Sequence, residues 1–246
     1  MTLQPFDPRP KAVIFDLDDT LCDYASAREA RLRRAFTLAP ERNIQSRDAI
    51  DLDRMIAESI RMHPHGADHF EELFARFGLA DGGAARSAAN WYRENRFHGL
   101  RLFPEVEAVF SSVRDAVSIV EPKAARPIGI VTNGPTEVQR AKLELLGIGR
   151  LVDFVLVSEE FGVAKPDPEI FREALRLAGV RPIEAIFVGD SVEFDMAGAY
   201  AAGIPTVWVN RQLRPWTESG PPPTRQIQSL ADLPRLLGAA GQSGNR

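Results

Sequence analysis

Three carboxylates stand within four positions near the start of the chain: Asp16, Asp18 and Asp19, in the stretch Ala12-Val13-Ile14-Phe15-Asp16-Leu17-Asp18-Asp19-Thr20-Leu21. Like charges this close repel, and each raises the pKa of the other unless a cation joins them. Mg²⁺, a hard ion that takes oxygen ligands and keeps several waters, is the economical solution. A metal-masked aspartate at a strand tip can also attack phosphorus. Further along stand Thr132-Asn133, Lys165 and Asp190. Such a set is equipped for phosphoryl transfer. One carboxylate attacks, a second carboxyl group moves a proton, a hydroxyl and a backbone N–H hold phosphate oxygens, a lysine offsets charge, and further carboxylates complete a metal site. A plainer account of the acidic triplet is that Asp18-Asp19-Thr20 merely caps a strand and starts a turn.

These residues can meet only if the fold gathers their segments. Residues 12–15 form an apolar, β-favouring run of the kind buried on both faces, and residues 128–131, 154–157, 185–189 and 206–209 repeat it. Helical patterns separate these runs, which predicts a parallel sheet covered on both faces. In open sheets of this type functional groups collect beyond the carboxyl ends of the strands. Asp16/Asp18, Thr132/Asn133, Lys165 and Asp190 all follow such runs, directly or in the next loop. Pro135 suits a helix start, with Val138, Ala141, Leu145 and Leu146 as the expected inner face and Gly147 as the stop. Asp167 and Pro168 read as N-cap and first helical residue of a helix burying Ile170, Phe171, Ala174, Leu175 and Ala178, which Gly179 ends.

Between the first run and the rest lies a stretch of a different kind. Leu32, Ala35 and Phe36; Leu52, Met55, Ile56 and Ile60; and Phe70, Leu73, Phe74 and Phe77 each recur at the spacing of one helix face. Breakers at Pro40, Pro64, Gly66, Gly78 and Gly82-Gly83 divide them, so the segment reads as a small helical bundle. The expected architecture is α/β: a doubly wound parallel-sheet (Rossmann-like) core, residues 1–21 and 100–246, with an inserted α-helical cap domain, residues 22–99. Residues 118–127 read as an exposed loop, and 238–246 as a frayed tail.

Composition excludes several classes. The 246 residues carry 30 basic and 34 acidic side chains, a net charge of −4, so nothing points to nucleic acid or a membrane surface as partner. No stretch nears the ~18 apolar residues of a membrane span, and no charged-then-apolar signal segment opens the chain. The single cysteine, Cys22, rules out an intramolecular disulfide, suits a reducing compartment and reads as a small packed hydrophobe. The expected location is the cytoplasm.

Four stretches, in order, resemble the signatures of the haloacid dehalogenase-like hydrolase superfamily: Asp16-Leu17-Asp18-Asp19-Thr20, Val131-Thr132-Asn133-Gly134, Lys165-Pro166-Asp167-Pro168, and Gly189-Asp190-Ser191 with Asp195 five residues past Asp190. The resemblance spans nearly the whole chain. It implies that Asp16 is the nucleophile, forming an aspartyl-phosphate with its other oxygen on Mg²⁺. Asp18 resembles the general acid/base and lends its backbone carbonyl to the metal. Thr132 and the Asn133 backbone N–H resemble phosphate holders. Lys165 orients Asp16 and offsets charge, Asp190 binds the metal directly, and Asp195 supports from outside. Gln139-Arg140-Ala141-Lys142-Leu143 looks most like the nucleotidase and acylneuraminate-9-phosphatase group. The implied partner is a small phosphorylated metabolite.

Within that resemblance, Asp18 argues against dehalogenation, which has no alkoxide to protonate. The absence of lysine between Lys11 and Lys123 removes the cap amine that phosphonate cleavage needs for a Schiff base. A sugar-phosphate mutase stays open, because Arg61, Arg93 and Arg96 could hold a second phosphate; so does a non-catalytic binding protein of the same fold. His63-Pro64-His65-Gly66-Ala67-Asp68-His69 reads as a polar loop rather than a zinc site, since no cysteine completes a ligand set. Trp91, Tyr92, Phe97, Trp208 and Trp216 read as packing residues before base-stacking ones.

Overall fold

A computed structural model describes residues 4–37, 49–62, 67–79, 82–115, 126–216, 220 and 222–238. The Cα positions divide into two compact units, residues 1–22 with 102–246, and residues 23–101. The loop read at 118–127 lies almost wholly outside the described residues, as do Pro40, His63, Pro64, His65 and the tail from 239.

In chain order the first unit begins with β1 (Ala12–Phe15). The second unit follows, built from α1 (Tyr24–Thr37), α2 (Ala49–Met62), α3 (Ala67–Arg76) and α4 (Gly82–Glu94). The first unit then resumes with α5 (Val106–Asp115), β2 (Ile128–Thr132), α6 (Thr136–Leu145), β3 (Phe154–Val157), the single turn α7 (Ser158–Phe161) and α8 (Pro168–Ala178). It closes with β4 (Ala185–Gly189), α9 (Ala197–Ala201), β5 (Thr206–Val209), β6 (Arg225–Ile227) and α10 (Leu233–Leu236).

The strands form one parallel sheet in the order β3-β2-β1-β4-β5-β6. β1, β2, β4 and β5 are buried along their whole length, as their unbroken apolar runs require of strands covered on both faces. The chain leaves β1 for β2 on one side and later returns to β4 on the other. The crevice where such a sheet changes direction is where ligands bind, and here it opens between β1 and β4. Phe15 registers with Ile130 of β2 and Val188 of β4. The residues after these three strands therefore emerge side by side.

α8 follows its pattern. The Asp167 carboxylate accepts from the Glu169 N–H at 2.9 Å, Pro168 sits in the first turn, and Gly179 ends the helix with φ 66°. Ile170, Phe171, Ala174, Leu175 and Ala178 join Ile14, Val131 and Phe187 in one core, and each large side chain contributes about 1.5–3 kcal/mol by burial. Gly198, ahead of the last turn of α9, lets that helix lie close: a Cβ there would strike the Phe171 ring and the Pro166 carbonyl.

α6 departs from expectation. Leu145 is 56% exposed, while Gln139 at 1% and Lys142 at 4% are buried beside Leu143. The inner face is thus rotated from the one read off the apolar residues. Its polar members are kept inside by partners on other segments.

The helical unit has its own core of Leu32, Ala35, Phe36, Met55, Ile56, Phe70, Leu73, Phe74 and Tyr92, together with alanines of α4. Arg31 lays its guanidinium 3.7 Å from the Tyr92 ring centre, and Ser59 meets His69 Nε2 at 2.8 Å inside the bundle. Trp91 packs against the same core, and Trp208 stacks edge-on with Trp216, ring centres 5.5 Å apart. Among the described residues, no helix is long and apolar enough to cross a membrane.

Candidate active site

The chain after β1 folds back at once. The Leu17 carbonyl accepts from the N–H groups of Leu21 and Cys22, and the Asp19 N–H donates to Cys22. Asp19 takes φ 61° at the bend, a left-handed conformation that aspartate tolerates better than most residues. Arg211 braces this loop from outside by donating to the Thr20 carbonyl at 3.3 Å. Asp16 is therefore held at the mouth of the sheet, 6% exposed, its N–H on the Val188 carbonyl of β4.

Lys165 reaches the same point from the loop before α8. Its buried ammonium donates to Asp16 Oδ1 at 2.5 Å and to Asp195 Oδ1 at 2.7 Å, 5.6 Å from the Phe187 ring centre. Burial alone would lower its pKa, but the two carboxylates outweigh that and push it up.

Asp195 arrives by an unusual turn. Residues 192–196 form a wide π-type turn ahead of α9, a feature frequent at functional sites. Its second oxygen accepts from the Ser191 N–H at 3.0 Å. Gly189 makes room, since a Cβ at that position would run into the Asp195 carboxylate.

Asp16, Asp190 and Asp195 can each place a carboxylate oxygen within 4.8 Å of the others. Burial first, then repulsion from Asp16, Asp195 and Asp19, raises Asp190 to about 8. Burial also leads for Asp16, raised to about 7, with Lys165 opposing and Asp195 adding to the rise. Asp195 has both oxygens engaged, whereas the Asp190 carboxylate has only the Arg214 guanidinium at 3.9 Å among the described residues. Its carbonyl is fixed instead, by Trp208 Nε1 at 2.9 Å and Arg214 at 3.0 Å. An all-oxygen donor set short of positive charge is the chemistry of a hard divalent cation.

The other residues read from the sequence connect to this cluster. The Asn133 side chain pairs with the Lys165 backbone at both of its ends. Thr132 is buried, its hydroxyl 2.5 Å from Gln139 Nε2. The Asp18 carboxylate lies outside the acid cluster, on Lys142 and Gln139 of α6. Sequence reasoning gave none of Gln139, Lys142, Trp208 and Arg214 a place in the site, reading Trp208 as packing and the first two only as part of a family-like stretch. For those two, polar residues inside a buried helix are the signal that could have found them. Cys22 is buried as expected for a packed thiol, with Sγ 3.6 Å from Asp18, and burial and the Asp18 charge push its pKa up.

A family model described as haloacid dehalogenase-like hydrolase matches residues 10–203, which takes in every strand from β1 to β4 and the site residues from Asp16 to Asp195, but not Trp208, Arg211 or Arg214. The chain belongs to the haloacid dehalogenase-like hydrolase family. It is 34% identical over 82% of its length, and 84% of the relative's, to the glyceraldehyde 3-phosphate phosphatase of Methanopyrus kandleri. It is 29% identical to the human N-acylneuraminate-9-phosphatase over 93% of this chain and 94% of that one. The crystal structure of the HAD-hydrolase YfnB from Bacillus subtilis, described as bound to magnesium, shares the fold, with a TM-score of 0.66 and 23% identity over 93% of this chain and 99% of the other. This member of the family is thus a hydrolase with phosphatases among its relatives.

Proposed function

We propose that this hydrolase is a Mg²⁺-dependent phosphatase acting on a small phosphomonoester, with Asp16 as nucleophile. The observation that carries the reading is the division of labour between two neighbouring carboxylates. Asp16 shares a buried lysine and an acid cluster, while Asp18, two residues on, is held apart on α6.

Asp16, Asp190 and the Asp18 backbone carbonyl would hold the ion, with Asp195 behind them, and it would supply the positive charge that lets an anionic carboxylate approach an anionic phosphate. An Asp16 oxygen attacks phosphorus and the ester P–O bond breaks, leaving an aspartyl-phosphate. The Asp18 carboxyl group gives its proton to the departing oxygen. As a carboxylate it then takes a proton from the water that attacks the same phosphorus, and Asp16 is released with inorganic phosphate. Thr132 and the Asn133 N–H hold the phosphate oxygens. Lys165 keeps Asp16 in line and offsets its charge. Residues 23–101 are assigned the cap role, the part of the chain that sets substrate choice.

Mutase chemistry finds less support. The exposed Arg61 is engaged by the half-buried Glu58, and the exposed Arg93 by Asn90. The names of the relatives favour phosphorylated sugars and sugar acids as substrates, and the single thiol favours the cytoplasm as the place of work.

The test is hydrolysis of p-nitrophenyl phosphate with Mg²⁺ and with chelator, followed by a panel of phosphorylated metabolites. Activity should require the ion, and Asp16→Asn should abolish turnover while its circular dichroism stays that of the parent. A fully active Asp16→Asn variant would refute the assignment of the nucleophile.

A further inference from the structure

Lys142 is a buried cation that the steps above do not use. Its ammonium touches both oxygens of Asp18, at 2.9 and 2.6 Å, and its side chain is 5% exposed against 25% for Asp18. Gln139 stands one turn earlier on the same face of α6, as residues three apart do. It donates to the second Asp18 oxygen at 3.3 Å and to the Asn133 carbonyl at 2.8 Å, and lies 2.5 Å from the Thr132 hydroxyl. The carboxyl group two residues from Asp16 is therefore tied to α6, 121 and 124 positions along the chain, and through Gln139 to the end of β2.

A carboxylate gripped at both oxygens has its plane and its torsion set, whereas one held by a single contact can swing. Placement of a reacting group matters steeply: an error of about 1 Å can cost about 10²-fold in rate. A buried lysine is also costly to keep unless its partner is fixed. Neither packing nor the acid cluster calls for an amine at position 142.

We propose that Lys142, with Gln139 beside it, is a positioning residue for Asp18. It keeps the carboxyl group apart from Asp16 and beside Thr132. In the first half-reaction one Asp18 oxygen stays on Lys142 while the other bears the proton given to the leaving oxygen. In the second, the same oxygen receives the proton of the attacking water. The inference rests on the reading of Asp16 and Asp18 given above.

The test compares Lys142→Met and Asp18→Asn on two substrates, with kcat/KM as the readout because it reports the steps through departure of the leaving group. p-Nitrophenolate departs without a proton; an alkoxide needs one. For an alkyl phosphate, Lys142→Met should lower kcat/KM by about 10²-fold, while kcat/KM for p-nitrophenyl phosphate stays near that of the parent. Asp18→Asn should lower kcat/KM for the alkyl phosphate at least as far, and adding Lys142→Met to it should cost nothing more on that substrate. Equal losses on both substrates, or additive losses in the double variant, would overturn the positioning role. If Asp18→Asn spares the alkyl phosphate, the reading of Asp18 as proton donor is what fails. If Lys142→Met does not fold, Gln139→Met carries the same comparison, and an equal loss on both substrates there overturns the proposal too.

Discussion

Asn133 grips the backbone of Lys165 with both ends of its carboxamide: Oδ1 accepts from the Lys165 N–H and Nδ2 donates to the Lys165 carbonyl, each at 2.9 Å. The clasp joins the segment after β2 to the loop before α8. That loop carries the lysine whose ammonium lies between Asp16 and Asp195.

Asn133→Ala should strand one N–H and one carbonyl of Lys165. The expected cost is about 1–3 kcal/mol, read as a drop of several degrees in the thermal midpoint, and turnover should fall as the lysine loses its register. An unchanged midpoint would show that the clasp does not hold the loop.

Metal and pH should be linked with a definite sign. Asp16 and Asp190 lie near 7 and 8 in the fold, well above the usual carboxylate range. Between about pH 4 and 8 the folded, metal-free protein thus holds more protons than the unfolded chain, so its stability falls as pH rises. Mg²⁺ at about 100-fold excess over its dissociation constant should restore about 2.7 kcal/mol, or about 5–10 °C in a chain of this size. Scanning fluorimetry from pH 5 to 9, with and without Mg²⁺, reads the effect. Asp190→Asn should flatten the metal-free slope and remove most of the Mg²⁺ shift; a wild-type response from that variant would exclude Asp190 as a ligand.

Gly189→Ala tests the approach of Asp195. The added methyl would meet the Asp195 carboxylate, forcing it off Lys165 and off the Ser191 N–H. Activity should fall by about 10²-fold, as expected for a misplaced charged group. Full activity in the alanine variant would mean that Asp195 has no fixed place.

Arg211 tests the brace on the loop after β1. Its guanidinium sits 3.5 Å from the Phe103 ring centre and donates to Glu105 at 2.9 Å as well as to Thr20. Although burial works the other way, hydrogen bonds from the backbone, Arg211 and Ser229 hold the Glu105 carboxyl group below its usual range. Arg211→Met should slacken that loop, raising hydrogen exchange across residues 17–22 and lowering kcat. Unaltered exchange would rule out the brace.

Much of this protein was legible before any coordinates. The buried strands, the capping of α8 by Asp167, Pro168 and Gly179, and the faces of α1, α2 and α3 follow from hydrophobic period and local backbone preference, which act between near neighbours. The motif residues were legible too, because their types and order are unusual for a solvated surface.

α6 shows where that reading stops. Periodicity scores apolar character, so it turned Leu145 inward, while the fold leaves Leu145 exposed and buries Gln139 and Lys142. A polar side chain is stable inside only when partners satisfy it, and here the partners include Asp18, 121 and 124 positions away. The sequence by itself determined the parallel α/β scaffold, the helical insertion and the roster of carboxylates and lysine. Only the tertiary structure decided that Asp18 faces Lys142 rather than the acid cluster, that Gly189 makes way for Asp195, and that Trp208 fixes the Asp190 carbonyl. The first of these joins segments 124 positions apart and the third residues 18 apart. The close approach of Asp195 to Gly189 depends on the turn that brings Asp195 to the buried Lys165. Hydrophobic period and local backbone preference encode none of these meetings.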